Sequence, residues 1–177
     1  MNTARSLIAE WPEGARLLAE RMIQEYGVPD VMSAARLTWR QRSPWTESIA
    51  LRDAESSEHP NRLIQSVTYE VPPRRWRALS AFDRGVTYDP IRRELVARSD
   101  REETNILALN LADQVIQDRR TPQDAASFYD KALDAARAGG PLDESRRLLF
   151  SPSSRRVFKR DGTRDFDLEL ERERFQR

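Results

Sequence analysis

Histidine, the side chain best suited to moving protons near neutral pH, occurs once, as His59 in the polar run DAESSEHPN. Cysteine is absent, which removes thiolate nucleophiles, thiolate metal sites and disulfides. A zinc site needs clustered His, Cys or carboxylate ligands, and a Ser-His-Asp arrangement would have to recruit this one loop histidine. Carboxylates remain. Glu102, Glu103 and Asp113 share one helix-forming segment and could do acid–base work. The first two fall in the first turn, where acids favour the helix dipole whatever their chemistry. The six glycines, Gly14, Gly27, Gly85, Gly139, Gly140 and Gly162, mark helix ends and turns apart from Gly14, and none forms a phosphate-cradling loop. No catalytic, cofactor-binding or metal-ligating set emerges, and no cofactor is expected.

Two residues still point to a pocket. Asn105 projects toward the apolar side of its segment, near Ala112 and Ile116, where a buried amide must find hydrogen-bond partners. It would tie the segment to a neighbouring loop or sheet edge, and together with His59 it marks a possible ligand site. Asn110, Asp113 and Gln117 form a polar stripe on the other side. Trp39, Trp45 and Trp76, near Arg40, Arg42, Arg74, Arg75 and Arg77, could stack bases. The tryptophans fall at core positions and acids intersperse the arginines, which favours packing over nucleic acid.

The segment that carries Asn105 must organise the fold. On a 3.6-residue period Leu107, Ala108, Leu109, Leu111, Ala112, Val115 and Ile116 cover more than half the helix circumference, which predicts packing on two sides. Asp100 is positioned to cap this helix. Thr121-Pro122-Gln123-Asp124 opens a second one with a cap, a proline at the first helical position and an acid at the third, and Gly139-Gly140-Pro141 ends it.

Upstream, Trp11-Pro12-Glu13 starts a helix to about Tyr26 with Ala15, Leu18, Ala19, Met22, Ile23 and Tyr26 inward, and Ala4 to Glu10 can add a turn before it. Strands are predicted over Arg36–Arg42, Trp45–Arg52 (with Ile49 and Leu51 on one face), Leu63–Val71, Val86–Tyr88 and Glu94–Arg98. A short helix with Trp76, Leu79 and Phe82 at helical spacing interrupts them. The pattern predicts an α+β fold: an antiparallel sheet of about five strands, packed by the N-terminal helix and a C-terminal helical hairpin.

Residues 1–150 read as one domain and 151–177 as a charged tail. From Arg146 to Arg160 there are six basic residues and no acid; from Asp161 to Glu173 there are six acids against Arg164 and Arg172. Phe166, Leu168 and Leu170 alternate with acids beyond an Asp161-Gly162 turn. The segment is either a solvated, charge-patterned tail or a hairpin arm that meets a partner through Arg155, Arg156, Lys159, Arg160, Phe166, Leu168 and Leu170.

The block ETNILALNLAD (103–113), the Arg119-Arg120-Thr121 turn, Tyr129, YGVPD (26–30), Leu37-Thr38-Trp39 with Pro44-Trp45, and VTYEVP (67–72) leading to Phe82-Asp83 resemble a family of small bacterial proteins with no assigned activity. The resemblance spans roughly residues 20 to 150 and implies one bacterial domain and no particular reaction. That family often carries a His-Asn-Phe-Pro loop before its long strand, where Glu58-His59-Pro60 stands here. The spacing from YGVPD to Trp39 also resembles small lipoprotein-type modules that bind other proteins, without their lipid-bearing cysteine.

The formal net charge is +1, which excludes a strong overall pull toward nucleic acid or anionic lipid. No apolar run is long enough for a signal peptide or a membrane span, and a cytoplasmic location is expected. The leading expectation is a non-enzymatic interaction protein or accessory subunit of a larger bacterial assembly, with another chain bound through the tail. The alternatives are a ligand binder or enzyme with a pocket between sheet and central helix, and weak nucleic-acid binding through 146–160.

Overall fold

The computed structural model describes residues 4–54, 61–141 and 145–152. Two N-terminal helices, α1 (Ala4–Ile8) and α2 (Glu13–Tyr26), precede strands β1 (Val31–Met32), β2 (Arg36–Arg42), β3 (Trp45–Leu51) and β4 (Leu63–Thr68). A 3₁₀ turn (Pro73–Arg75) and helix α3 (Trp76–Phe82) lead to β5 (Val86–Asp89) and β6 (Glu94–Ser99). The helical hairpin α4 (Glu102–Ile116) and α5 (Pro122–Arg137) follows. The fold is α+β, with one antiparallel sheet in the order β1-β2-β3-β4-β6-β5.

The sheet has six strands rather than about five. The additional strand, β1, is two exposed residues held by pairing Val31 with Thr38 and Met32 with Leu37. So short a segment carries no periodicity of its own.

Register decides which side of the sheet is the core. Leu37, Trp39, Ser48, Ala50, Leu63, Gln65, Val67, Leu95 and Ala97 share one face through the pairs Leu37–Ala50–Leu63 and Gln65–Ala97, and all are buried. Ile49 and Leu51 do share a face, as their spacing predicts. It is the opposite one, with Ile64 and Val96. Alternation fixes a period but not its phase: inward Ser48 and Ala50 are small because helix α2 lies against them.

Helix α2 buries Ala15, Leu18, Ala19 and Met22 against Leu37, Trp39, Ala50 and Leu63. Helix α4 buries its apolar residues against Val67, Leu95 and Ala97 on one side and helices α3 and α5 on the other. Leu107, Leu111 and Val115 are 0–1% exposed, so the predicted two-sided burial is present. Tyr26 touches both apolar clusters.

The ends of the hairpin differ from their sequence signals in one respect. Thr121 caps α5 as predicted, its hydroxyl accepting the Asp124 N–H at 3.1 Å, with Pro122 at the first helical position. Asp100 does not cap α4. The residue flanking that helix is Arg101, extended at φ −146°, and Ser99 organises the turn by accepting its N–H and donating to its carbonyl. Trp39 and Trp45 are buried, but Trp76 is 44% exposed, its ring edge tied to the Val71 carbonyl. Gly85 adopts φ +72°, and a Cβ there would sit 2.6 Å from the Arg98 carbonyl oxygen, so a side chain would push β5 off β6. No described helix is long and apolar enough to cross a membrane.

Leu111→Ala is expected to lower unfolding stability by about 2–5 kcal/mol in urea denaturation, because the cavity opens where no side chain can refill it. Leu17→Ala, on the 54% exposed face of α2, should stay within about 0.5 kcal/mol.

Candidate functional site

Asn105 lies in the first turns of α4, fully buried, and its amide donates to Gln65 Oε1 at 3.0 Å and more distantly to the Leu63 carbonyl at 3.4 Å. It does tie the helix to the sheet, through a central strand rather than an edge. With its oxygen so engaged, Gln65 turns its Nε2 toward Glu102, donating to Oε2 at 2.6 Å. From the other side the Tyr26 hydroxyl meets the two Glu102 oxygens at 2.7 and 2.8 Å, and Trp45 Nε1 donates to the Tyr26 oxygen at 3.0 Å. The donors run Trp45 to Tyr26 to Glu102 and Asn105 to Gln65 to Glu102. One carboxylate is the common terminus.

Burial, and then the bond to Glu102, push the Tyr26 phenol well above its ordinary value. Tyr26 is therefore a fixed neutral donor at physiological pH, not a base or nucleophile. Glu102 has no ion pair among the described residues. Asn105 Oδ1 is buried without a hydrogen-bond partner.

Tyr26 and Glu102 form one wall of a cleft of about 370 Å³ between α2 and α4. Its apolar lining is Leu18, Met22, Leu63 and Ile106. At the rim stand Arg21, Glu25, Glu103 and Arg146, all exposed, with Ser145 buried beside them.

A second polar cluster sits at the far end of α4. Tyr69 donates to Asp113 at 2.6 Å and accepts from Gln117 at 3.0 Å, while Arg119 pairs with the other Asp113 oxygen. Burial, and then this hydrogen bond, push Tyr69 up to about 12. Between the two clusters Asn110 accepts the Leu149 N–H at 2.8 Å and donates to the Arg147 carbonyl at 2.9 Å. The polar stripe predicted on α4 thus has a structural use: Asn110 clips a strap, 145–150, along the helix, and Asp113 and Gln117 hold Tyr69.

A larger concavity of about 590 Å³ at the α4–α5 turn is an open surface whose charges are mostly engaged. Arg119 serves Asp113, Arg120 donates to Gln114 and covers the Phe128 ring, and Asp118 pairs with Arg75. Asp124, bonded to Thr121, already occupies the helix N-terminus.

Of the predicted site residues, only Asn105 falls within the described structure. His59, Arg155, Arg156, Lys159, Arg160, Phe166, Leu168 and Leu170 lie outside the described residues. Sequence reasoning passed over Gln65 and the hydroxyl of Tyr26. Gln65 was detectable, because it stands two residues from both Leu63 and Val67 and so shares their inward face. Among the described residues no group of three or more histidines and acids is placed to hold a metal ion. No family model, curated protein or solved structure matches this chain.

Alkaline pH should expose the tyrosine contacts. Unfolded tyrosines ionise near 10, whereas burial holds Tyr69 and Tyr129 to about 12. Between those values the unfolded chain carries fewer protons, so stability is expected to be level below pH ~10 and to fall as pH rises toward ~12. Urea denaturation of Tyr69→Phe should show a shallower fall; a slope identical to the parent's would refute the assignment.

Proposed function

We propose that this protein binds a small molecule in the cleft between α2 and α4 and holds it without transforming it. The single observation that carries the reading is the cleft's construction: four apolar side chains face a wall of Tyr26 and Glu102 whose positions are fixed by hydrogen bonds from Gln65 and Trp45. A small-molecule site of this kind needs an apolar body and a few well-placed polar groups, and about 370 Å³ lies at the compact end of the usual range. Catalysis would need a group poised to take or give a proton or to attack. Tyr26 keeps its proton, and the residues that line the cleft include no histidine or cysteine to serve as base or nucleophile.

The test uses benzyl alcohol as a neutral probe and the full chain. Titration should move the Met22 methyl resonance saturably, and Leu18→Trp, which fills the cleft and keeps Met22 as reporter, should abolish the response in a protein with unchanged far-UV circular dichroism. No saturable movement in the parent protein would end this reading.

A second reading, an accessory subunit that docks another protein, draws on the side of the sheet that no described helix covers. There Ile49, Leu51, Ile64 and Val96 are half-buried, in line with exposed Arg36, Arg40 and Arg98. Arg40 is already paired with Glu47 on this face, so what the strip offers a partner is its apolar side chains, which fit an apolar ridge. Ile64→Glu should weaken such a complex at least tenfold; retention of every co-purifying partner by that variant would remove this reading.

A further inference from the structure

We infer that the ligand of this cleft is a small organic cation, an ammonium on an apolar body, with Glu102 as its counter-charge. The inference rests on the cleft being a ligand site and adds the chemical class that the site selects.

The charges around the cleft divide by position. Arg21 and Glu25 on α2, Glu103 on α4 and Arg146 on the strap are all exposed at the rim, two of each sign. Water and salt screen such charges, and their signs offset. Glu102 is different. It is half-buried in the wall, and no guanidinium or ammonium among the described residues pairs with it. The charge inside the cleft is therefore negative, in the place where screening is weakest.

The hydrogen-bond network shows that Glu102 is presented rather than consumed. A carboxylate offers about four lone-pair sites. Tyr26 supplies one proton shared between both oxygens, and Gln65 supplies one to Oε2. Acceptor capacity remains, most of it on Oε1. Gln65 cannot rotate away, because its oxygen is held by Asn105. Tyr26 cannot rotate freely either, because Trp45 donates to its oxygen. The carboxylate is thus fixed before any ligand arrives, so little ordering cost falls on binding.

A neutral donor would gain a hydrogen bond to the carboxylate but leave its charge unbalanced, and an anion would face Glu102 directly. An ammonium adds to that bond the attraction of opposite charges, while its apolar part covers Leu18, Met22 and Ile106.

The test compares three probes of one shape, benzylamine, benzyl alcohol and benzoate, on the full chain at neutral pH, read by the Met22 methyl resonance and by calorimetry. Benzylamine should bind about tenfold tighter than benzyl alcohol, the worth of pairing opposite charges in a partly screened site, and benzoate should bind weakest. Glu102→Gln keeps an acceptor for Tyr26 and should bring amine and alcohol within about threefold, whereas the parent comparison stands even if that variant folds poorly. Equal binding of amine and alcohol by the parent protein overturns the cation assignment and leaves the cleft reading intact. Absence of saturable binding by all three overturns both.

Discussion

Helix α4 has twelve of its fifteen residues buried, and that enclosure governs the rest of the structure. A surface helix can leave its polar side chains to water. This one cannot, and Thr104, Asn105, Asn110 and Asp113 are all inside. A buried polar group without a partner costs roughly 1–3 kcal/mol. Each of the three amides and acids on that list therefore draws a different part of the chain onto the helix: strand β4 for Asn105, the strap 145–150 for Asn110, and Tyr69 with Arg119 for Asp113. Apolar burial supplies the driving force, but it is non-directional. The amides and acids fix the register in which the helix sits.

Both ends of α4 are held by the same device, a tyrosine hydroxyl on a carboxylate. Tyr26 reaches Glu102 from the last turn of α2, and Tyr69 reaches Asp113 from just beyond β4. At each end burial raises the phenol's hold on its proton, which keeps the donor in its donating form through the physiological range. The two ends diverge in what surrounds them. Asp113 is 5% exposed and pairs with an arginine. Among the described residues Glu102 has no such cation, and it opens on the cleft. One arrangement is closed by its own charge balance; the other carries an unbalanced charge at an accessible wall.

What could be read from the chain depended on whether the signal was local. Thr121-Pro122-Gln123-Asp124 names a helix start because the cap, the fixed φ of proline and the acid act within one turn. The breadth of the apolar arc on α4 announced burial on two sides for a similar reason. Strand β1 was not legible, since only its pairing with β2 makes it a strand. Nor was the phase of β3, because Ile49 and Leu51 are larger and more apolar than the inward Ser48 and Ala50. Asn105 was legible as a buried amide in search of a partner. Its partner was not, because Gln65 lies forty residues away in sequence and the two meet only when helix and sheet close. The composition of the cleft wall is a tertiary fact. Tyr26 looked like one more apolar contact of α2 until its hydroxyl had somewhere to go.

The strap explains how one helix can be sealed along its length and still leave a cleft at one end. Ser145 and Arg146 stand at the cleft rim near Glu103, Arg147 and Leu149 meet Asn110, and the Phe150 ring meets Tyr69 edge-on at 5.2 Å between centroids. The strap therefore runs in the same direction as α4. Two hydrogen bonds hold the middle of the strap and an aromatic contact holds its end, which limits where its beginning can lie. Asn110, about two turns further along the helix, thus helps to set the side of the cleft that Arg146 borders. Enclosure of α4 and the shape of the site are linked, because the strap that Asn110 holds along the middle of the helix begins at the wall beside its first turn.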